Sequence, residues 1–152
     1  ILQIRMLKNN PMVKKNPTRR FGGAVVDTGA SRTVVQLDQA KAYCRMHGIK
    51  FQAHNSQRHF RFGEVVVPSI GLMEIRIPVD TSFLPVRVEA VELDIQLLMS
   101  LYMMDLFSIE LDLEENLMRG DSWSARLTRA DGHLYYRWSP KVSRTCFTNG
   151  DT

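Results

Sequence analysis

The chain has 152 residues, of which 44% are hydrophobic and 24% are charged. This length is typical of one domain, and the composition supports a packed core and excludes global disorder. No apolar run approaches the ~18 residues of a membrane span, and the N-terminus lacks a signal-peptide layout. Because the chain does not begin with methionine, we expect it to be part of a longer polypeptide. The net charge of +4 can indicate nucleic-acid binding, but no basic helix accompanies it, so a solvated surface is favoured.

Short apolar segments alternate with turn residues along most of the chain. Segments in which hydrophobic and polar residues alternate predict half-buried strands, and they favour antiparallel pairing over strand–helix–strand units. A helix is predicted where Asp38 can serve as N-cap and Gly48 can follow the last turn. In chain order the predicted elements are a loop at 8–20, strands at 24–26 and 33–35, a helix at 38–47, strands at 60–62, 65–67, 73–77, 86–91 and 97–99, a helix at 101–106 and a strand at 109–113.

Two valines followed by Asp27-Thr28-Gly29 carry the strongest chemical signal. An aspartic protease needs two carboxylates around one water. Close like charges cannot both ionise, so one carboxylate can take a proton from the water while the other donates to the substrate carbonyl. A buried strand would hold Asp27 rigidly, Gly29 would let backbone N–H groups approach the carboxylate, and Thr28 could hydrogen-bond to a second copy of the loop. On the motif alone, an ordinary turn at a strand end stays an alternative.

Three blocks of the sequence together resemble the retropepsin-like aspartic proteases, particularly those inside retrotransposon polyproteins. The blocks are residues 25–31, 60–71 and 94–105. In order, they are similar to the catalytic loop, to the flap hairpin that closes over substrate, and to the strand and short helix that support the loop. The resemblance covers roughly residues 20–118. Residues 132–138 are weakly similar to segments that lie between protease and integrase.

The resemblance implies an all-β fold, a small partly closed barrel of retropepsin type with a flap hairpin and one or two short helices. It implies a homodimer, because each chain supplies one Asp-Thr-Gly loop. Expected domains are an N-terminal extension at 1–19, a protease domain at 20–118 and a C-terminal linker or tail at 119–152. The implied site comprises the catalytic residue Asp27, the active-site loop residues Thr28, Gly29, Ala30 and Ser31, and the flap or substrate-binding residues Arg61, Phe62, Gly63, Glu64, Val65, Val66 and Val67.

The function that the resemblance implies is aspartic endopeptidase activity in the processing of a retroelement polyprotein. It implies no cofactor and no metal, no membrane partner, and a cytoplasmic location that includes virus-like particles. Two other functions stay open. One is a catalytically silent dimerisation or peptide-binding domain with the same fold, and the other is a nucleic-acid-binding polyprotein fragment.

Several positions depart from the family pattern. Ser100 stands where the family usually has glycine, which would cost ~1 kcal/mol if the position required a positive φ or a close backbone approach. Ser31 and Leu101 replace an Asp and an Arg that pair in many retroviral members, so neither charge is left unpaired. The flap tip at 64–68 is more apolar and less glycine-rich than expected. These departures leave a decayed copy with little activity as an alternative.

Other candidate sites have simpler explanations. Residues 80–82, Asp-Thr-Ser, lack the glycine of an active-site loop and lie too close to Asp27 to belong to a second lobe, so a turn is favoured. Cys44 and His47 have helical spacing, but with the nearby histidines they match no zinc module, and a buried cysteine beside surface histidines is favoured. With Cys146 as the only other cysteine, the chain is not a disulfide scaffold, and a reducing compartment fits best.

Overall fold

The computed structural model describes residues 22–138, which form twelve strands and two helices. Each predicted strand and helix from 24–26 to 109–113 is present, with ends shifted by a few residues. The predicted loop at 8–20 lies outside the described residues. The elements are β1 Gly23–Asp27, β2 Val34–Gln36, α1 Leu37–Met46, β3 His59–Phe62, β4 Val65–Pro68, β5 Gly71–Val79, β6 Ser82–Val91, β7 Leu97–Ser100, α2 Leu101–Leu106, β8 Glu110–Asp112, β9 Leu117–Arg119, β10 Ser124–Arg126, β11 Thr128–Ala130 and β12 His133–Arg137.

The largest sheet has seven strands in the order β11-β12-β1-β7-β2-β6-β5. β1 lies between antiparallel β12 and parallel β7, and Asp27 is opposite Ser100. β2 runs parallel to β6 and meets β7 antiparallel. The antiparallel prediction is confirmed for β3–β4 and β5–β6. The sequence did not predict the parallel pairs, because short apolar runs do not indicate the direction of a partner strand.

β1 is buried on both faces of the sheet. Successive side chains of a strand point to opposite sides. Ala24 and Val26 accordingly join a large core with residues of α1, β5 and β6. Val25 joins a smaller core that includes Phe60 and Phe62 of β3. Because a shift by one residue would exchange these two sets, the packing fixes the register of β1 and the position of the residue at its end.

The described part of the predicted tail, residues 119–138, folds with the main sheet. β12 pairs with β1 along most of its length, and Tyr136 and Trp138 are buried in the large core. The main sheet therefore extends past the expected boundary after residue 118, to the end of the described residues. Strands of three to five residues carry too little periodicity to reveal such pairing from sequence. The predicted extension at 1–19 and residues 139–152 lie outside the described residues.

The two helices are short and support the sheet. α1 begins after the N-cap residue Gln36, so the prediction of Asp38 as N-cap was wrong, and Asp38 lies in the first turn instead. Gly48 follows the helix with a φ of 64°, as its predicted role requires. α2 spans the predicted residues, and Ser100 is its N-cap. No described helix is long and apolar enough to cross a membrane.

The all-β prediction is confirmed by the strand content and by the small number of helices. The main sheet does not close into a complete barrel, because β11 and β5 form its two edges. The predicted flap is present as the separate two-stranded sheet β3–β4.

Candidate active site

Asp27 lies at the end of β1, in the interior of the seven-stranded sheet. The three residues before it are buried, and Asp27 itself is half-buried. The chain then turns back, and the Ala30 N–H donates to the Asp27 carbonyl at 3.1 Å. This arrangement places a carboxylate at the surface while its backbone is fixed by neighbouring strands on both sides.

Gly29 holds the Asp27 carboxylate directly. Its backbone N–H donates to Asp27 Oδ1 at 3.0 Å. A Cβ atom at position 29 would lie 3.3 Å from the same oxygen, which is tighter than most real contacts of that kind. Glycine therefore allows the backbone to approach the carboxylate, as the motif predicts.

The remaining predicted loop residues surround this contact. Thr28 and Ser31 are exposed, and Ala30 is half-buried. The exposed side of the loop could therefore meet a second copy of the chain. The hydrogen bond predicted from Thr28 to such a copy stays a prediction.

The loop is supported from below by two buried hydroxyl groups, those of Thr33 and Ser100. Thr33 Oγ1 lies 3.0 Å from Ser100 Oγ and accepts from the Ser100 backbone N–H at 3.1 Å. Ser100 Oγ also accepts from the Met103 N–H at 3.1 Å, which caps α2. Ser100 has a φ of −79°, so the position does not require glycine. The condition for a stability cost at Ser100 is therefore not met, and the Ser100 hydroxyl instead forms hydrogen bonds with buried groups.

A cleft of about 320 Å³ joins the Asp27 loop to strand β3 of the hairpin. Of the predicted flap residues, Arg61 and Phe62 line this cleft together with Asp27, whereas residues 63–67 do not. Residues that the sequence analysis did not single out also line it: Arg32, Val34, His59, Phe60 and Leu98. The alternation of β3 could have indicated Phe60, because it shares a face with Phe62.

The hairpin is folded down against the smaller core. Phe60 and Phe62 are buried there, and Val67 packs against them. Val66, on the opposite face, is 47% exposed. Gly63 has a φ of 67°, which suits the two-residue turn between β3 and β4. Of the apolar residues at 64–68 that looked unusual for a flap, Val67 thus helps to attach the hairpin to the sheet, whereas Val66 does not.

The described lining of this cleft combines one carboxylate with two arginines. Asp27 is the acidic side chain, and Arg32 and Arg61 are the cationic ones. The Arg32 guanidinium lies 4.2 Å from the centre of the Tyr102 ring, which orients it by a cation–π contact. Acid–base hydrolysis by paired carboxylates would need a second Asp27 from another chain.

The described residues offer no alternative metal centre. No group of three or more His, Cys, Asp or Glu side chains is placed to hold an ion within residues 22–138. Cys44 is buried in α1, and burial raises the pKa of its thiol. A thiol with a raised pKa stays neutral, which suits a core residue better than a nucleophile or ligand.

No family model and no curated protein matches the sequence. Among solved structures, the chain is similar to the crystal structure of the retroviral protease-like domain of Ddi1 from Leishmania major, with a TM-score of 0.57 and 15% sequence identity. The likeness covers 71% of this chain and 85% of that chain. At this identity it defines the fold, which is of retropepsin type.

Proposed function

We propose that this protein is an aspartic endopeptidase that acts as a homodimer, with Asp27 as its catalytic residue. The observation that carries the proposal is the carboxylate at the end of buried β1, held by the Gly29 N–H and facing a cleft beneath a hairpin. The retropepsin-type fold supports the same class of function. The Asp-Thr-Gly motif supplies the residue types that this chemistry needs.

In the proposed mechanism, the Asp27 carboxylates of two copies share one proton and bind one water between them. The ionised carboxylate takes a proton from the water, which attacks the scissile carbonyl carbon. The protonated carboxyl donates to the carbonyl oxygen, and a gem-diol intermediate forms without a covalent bond to the enzyme. Collapse of this intermediate transfers a proton to the leaving amine.

The proposed substrate is an extended peptide that lies between the Asp27 loop and the hairpin. An extended segment can add to exposed strand edges by backbone hydrogen bonds, while its alternate side chains enter pockets. Arg61 and His59 are exposed residues of β3 that line the cleft, and they are the proposed contacts of such a peptide. The sequence resemblance to retrotransposon proteases makes a retroelement polyprotein the proposed source of this peptide.

Cleavage of an unbiased peptide library between pH 4 and pH 7 tests this proposal, with wild type compared with Asp27→Asn. Asp80→Asn is the matched control, because Asp80 also belongs to an Asp-Thr pair but lies in the exposed turn between β5 and β6. We expect cleavage by wild type and Asp80→Asn, inhibition by a pepstatin-type compound, and no cleavage by Asp27→Asn. Peptide binding without cleavage by a folded dimer would identify the silent domain instead. Salt-dependent RNA or DNA binding retained in Asp27→Asn would favour the nucleic-acid fragment.

A further inference from the structure

Glu89 is a buried carboxylate on the long strand β6. Its side chain is 3% exposed, which is unusual for glutamate unless the charge is paired. The Ser69 hydroxyl donates to Glu89 Oε1 at 2.7 Å, and Arg58 Nε lies 3.2 Å from Glu89 Oε2. Each carboxylate oxygen therefore has its own partner, and both bonds are assisted by charge.

The two partners of Glu89 flank the hairpin. Arg58 immediately precedes β3, and Ser69 immediately follows β4. The Ser69 N–H also donates to the Arg58 carbonyl at 2.9 Å, which closes the base of the hairpin. Ser69 Oγ in turn accepts from the Gly71 N–H at 3.1 Å, where β5 begins. A single side chain from the main sheet thus holds both chain segments through which the hairpin is attached.

Glu89 is also joined to the support of the active-site loop. Its backbone N–H donates to the Thr33 carbonyl at 3.0 Å. The Thr33 hydroxyl contacts Ser100, which lies opposite Asp27 in the sheet. Glu89 therefore takes part both in the contacts that attach the hairpin and in those that support the catalytic loop.

We propose that Glu89 is a positioning residue that sets the placement of the β3–β4 hairpin over the Asp27 cleft. The catalytic part of this inference rests on the proposed function. Glu89 lies outside the lining of that cleft and instead lines a second cavity of about 740 Å³ with Arg58 and Thr33. It therefore acts through the hairpin and not on the substrate. The hydrophobic contacts of Phe60 and Phe62 hold the hairpin down, and Glu89 fixes its base.

Amide hydrogen exchange tests the hairpin attachment without any need for activity. The Glu89→Gln variant keeps the size of the side chain and removes the charge that pairs with Arg58. We expect amides of residues 59–69 to exchange about tenfold faster or more, while the central amides of β5 and β6 change little. Glu74→Gln is the matched control, because Glu74 is exposed on β5 opposite Arg87, and its hairpin exchange should equal that of wild type.

Two results would overturn the inference. One is unchanged hairpin exchange in Glu89→Gln, and the other is a uniform increase throughout the sheet, which would indicate a general structural role. If Glu89→Gln does not fold, Arg58→Gln supplies the same test from the exposed side, because Arg58 is 51% exposed. Hairpin amides should exchange more slowly in Arg58→Lys, which keeps the charge, than in Arg58→Gln. Slow exchange in Arg58→Gln would contradict the proposed role.

Kinetics then connect the hairpin to the proposed reaction. In Glu89→Gln we expect KM for a cleaved peptide to rise about tenfold, with a smaller change in kcat, because a displaced hairpin binds substrate less well. An unchanged KM combined with fast hairpin exchange would refute the positioning role. If wild type cleaves no peptide, the proposed function fails, while the exchange experiment still decides whether Glu89 holds the hairpin.

Discussion

Substitution of Ser100 by alanine would remove two buried interactions beneath the active-site loop. The side chain is fully buried, and its hydroxyl caps α2 through the Met103 N–H and contacts Thr33 Oγ1. Loss of an N-cap costs about 0.5–2 kcal/mol. The Thr33 hydroxyl loses one partner but still accepts from the backbone N–H of residue 100. We therefore expect Ser100→Ala to lower the free energy of unfolding by about 1–3 kcal/mol.

Urea unfolding at one fixed chain concentration measures this loss, since dimerisation would make stability depend on concentration. The midpoint should fall by roughly 0.5–2 M with an unchanged slope. Ser124→Ala is the control, because Ser124 is an exposed serine in β10, and it should stay within about 0.5 kcal/mol of wild type. Ser100→Gly should be at least as unstable as Ser100→Ala. A stabilised Ser100→Gly, or a Ser100→Ala variant equal to wild type, would refute the role given to this hydroxyl.

Two further predictions concern Asp112 in β8 and Phe62 in the hairpin. The pKa of Asp112 is held below its usual range by the backbone N–H of Glu115 and by Arg119, so its ionised form stabilises the folded state above the ordinary carboxyl pKa. Asp112→Asn should therefore lower the urea midpoint at pH 7 but much less at pH 3, and an equal difference at both pH values would contradict this assignment. Phe62→Ala removes a buried anchor of the hairpin and should cost about 2–4 kcal/mol and weaken peptide binding, whereas Val66→Ala on the exposed face should cost under about 0.5 kcal/mol. Equal effects of these two substitutions in thermal unfolding would show that the hairpin is not held through Phe62.

The sequence was sufficient to predict the local elements and the catalytic loop. The run of small and β-branched residues before Asp27 predicts a buried strand, and the Asp-Thr-Gly turn carries its chemistry in three adjacent residues. Local signals of this kind depend on neighbours in the chain, so they can be interpreted without knowledge of the tertiary contacts. The hairpin at residues 59–68 was predictable for the same reason.

Contacts between distant parts of the chain could not be predicted in this way. The hydrogen bond between Thr33 and Ser100 joins residues separated by 67 positions. The alternation of β6 predicts Glu89 on the solvent face, but the segments that flank the hairpin cover it. The pairing of β12 with β1 depends on the register of two short strands that are far apart in sequence. Each of these features exists only once the chain has folded back on itself.

Subunit mixing tests most directly whether the site is built from Asp27 of two copies. A fixed amount of wild type is mixed with an equal amount of Asp27→Asn under conditions that allow exchange of subunits, and the rate of peptide cleavage is followed. If every active site needs both carboxylates, random pairing should reduce the rate to about half that of wild type alone. Asp80→Asn, which retains Asp27, should not reduce the rate when it is mixed in the same way. An unchanged rate after complete exchange with Asp27→Asn would contradict a site shared between two copies.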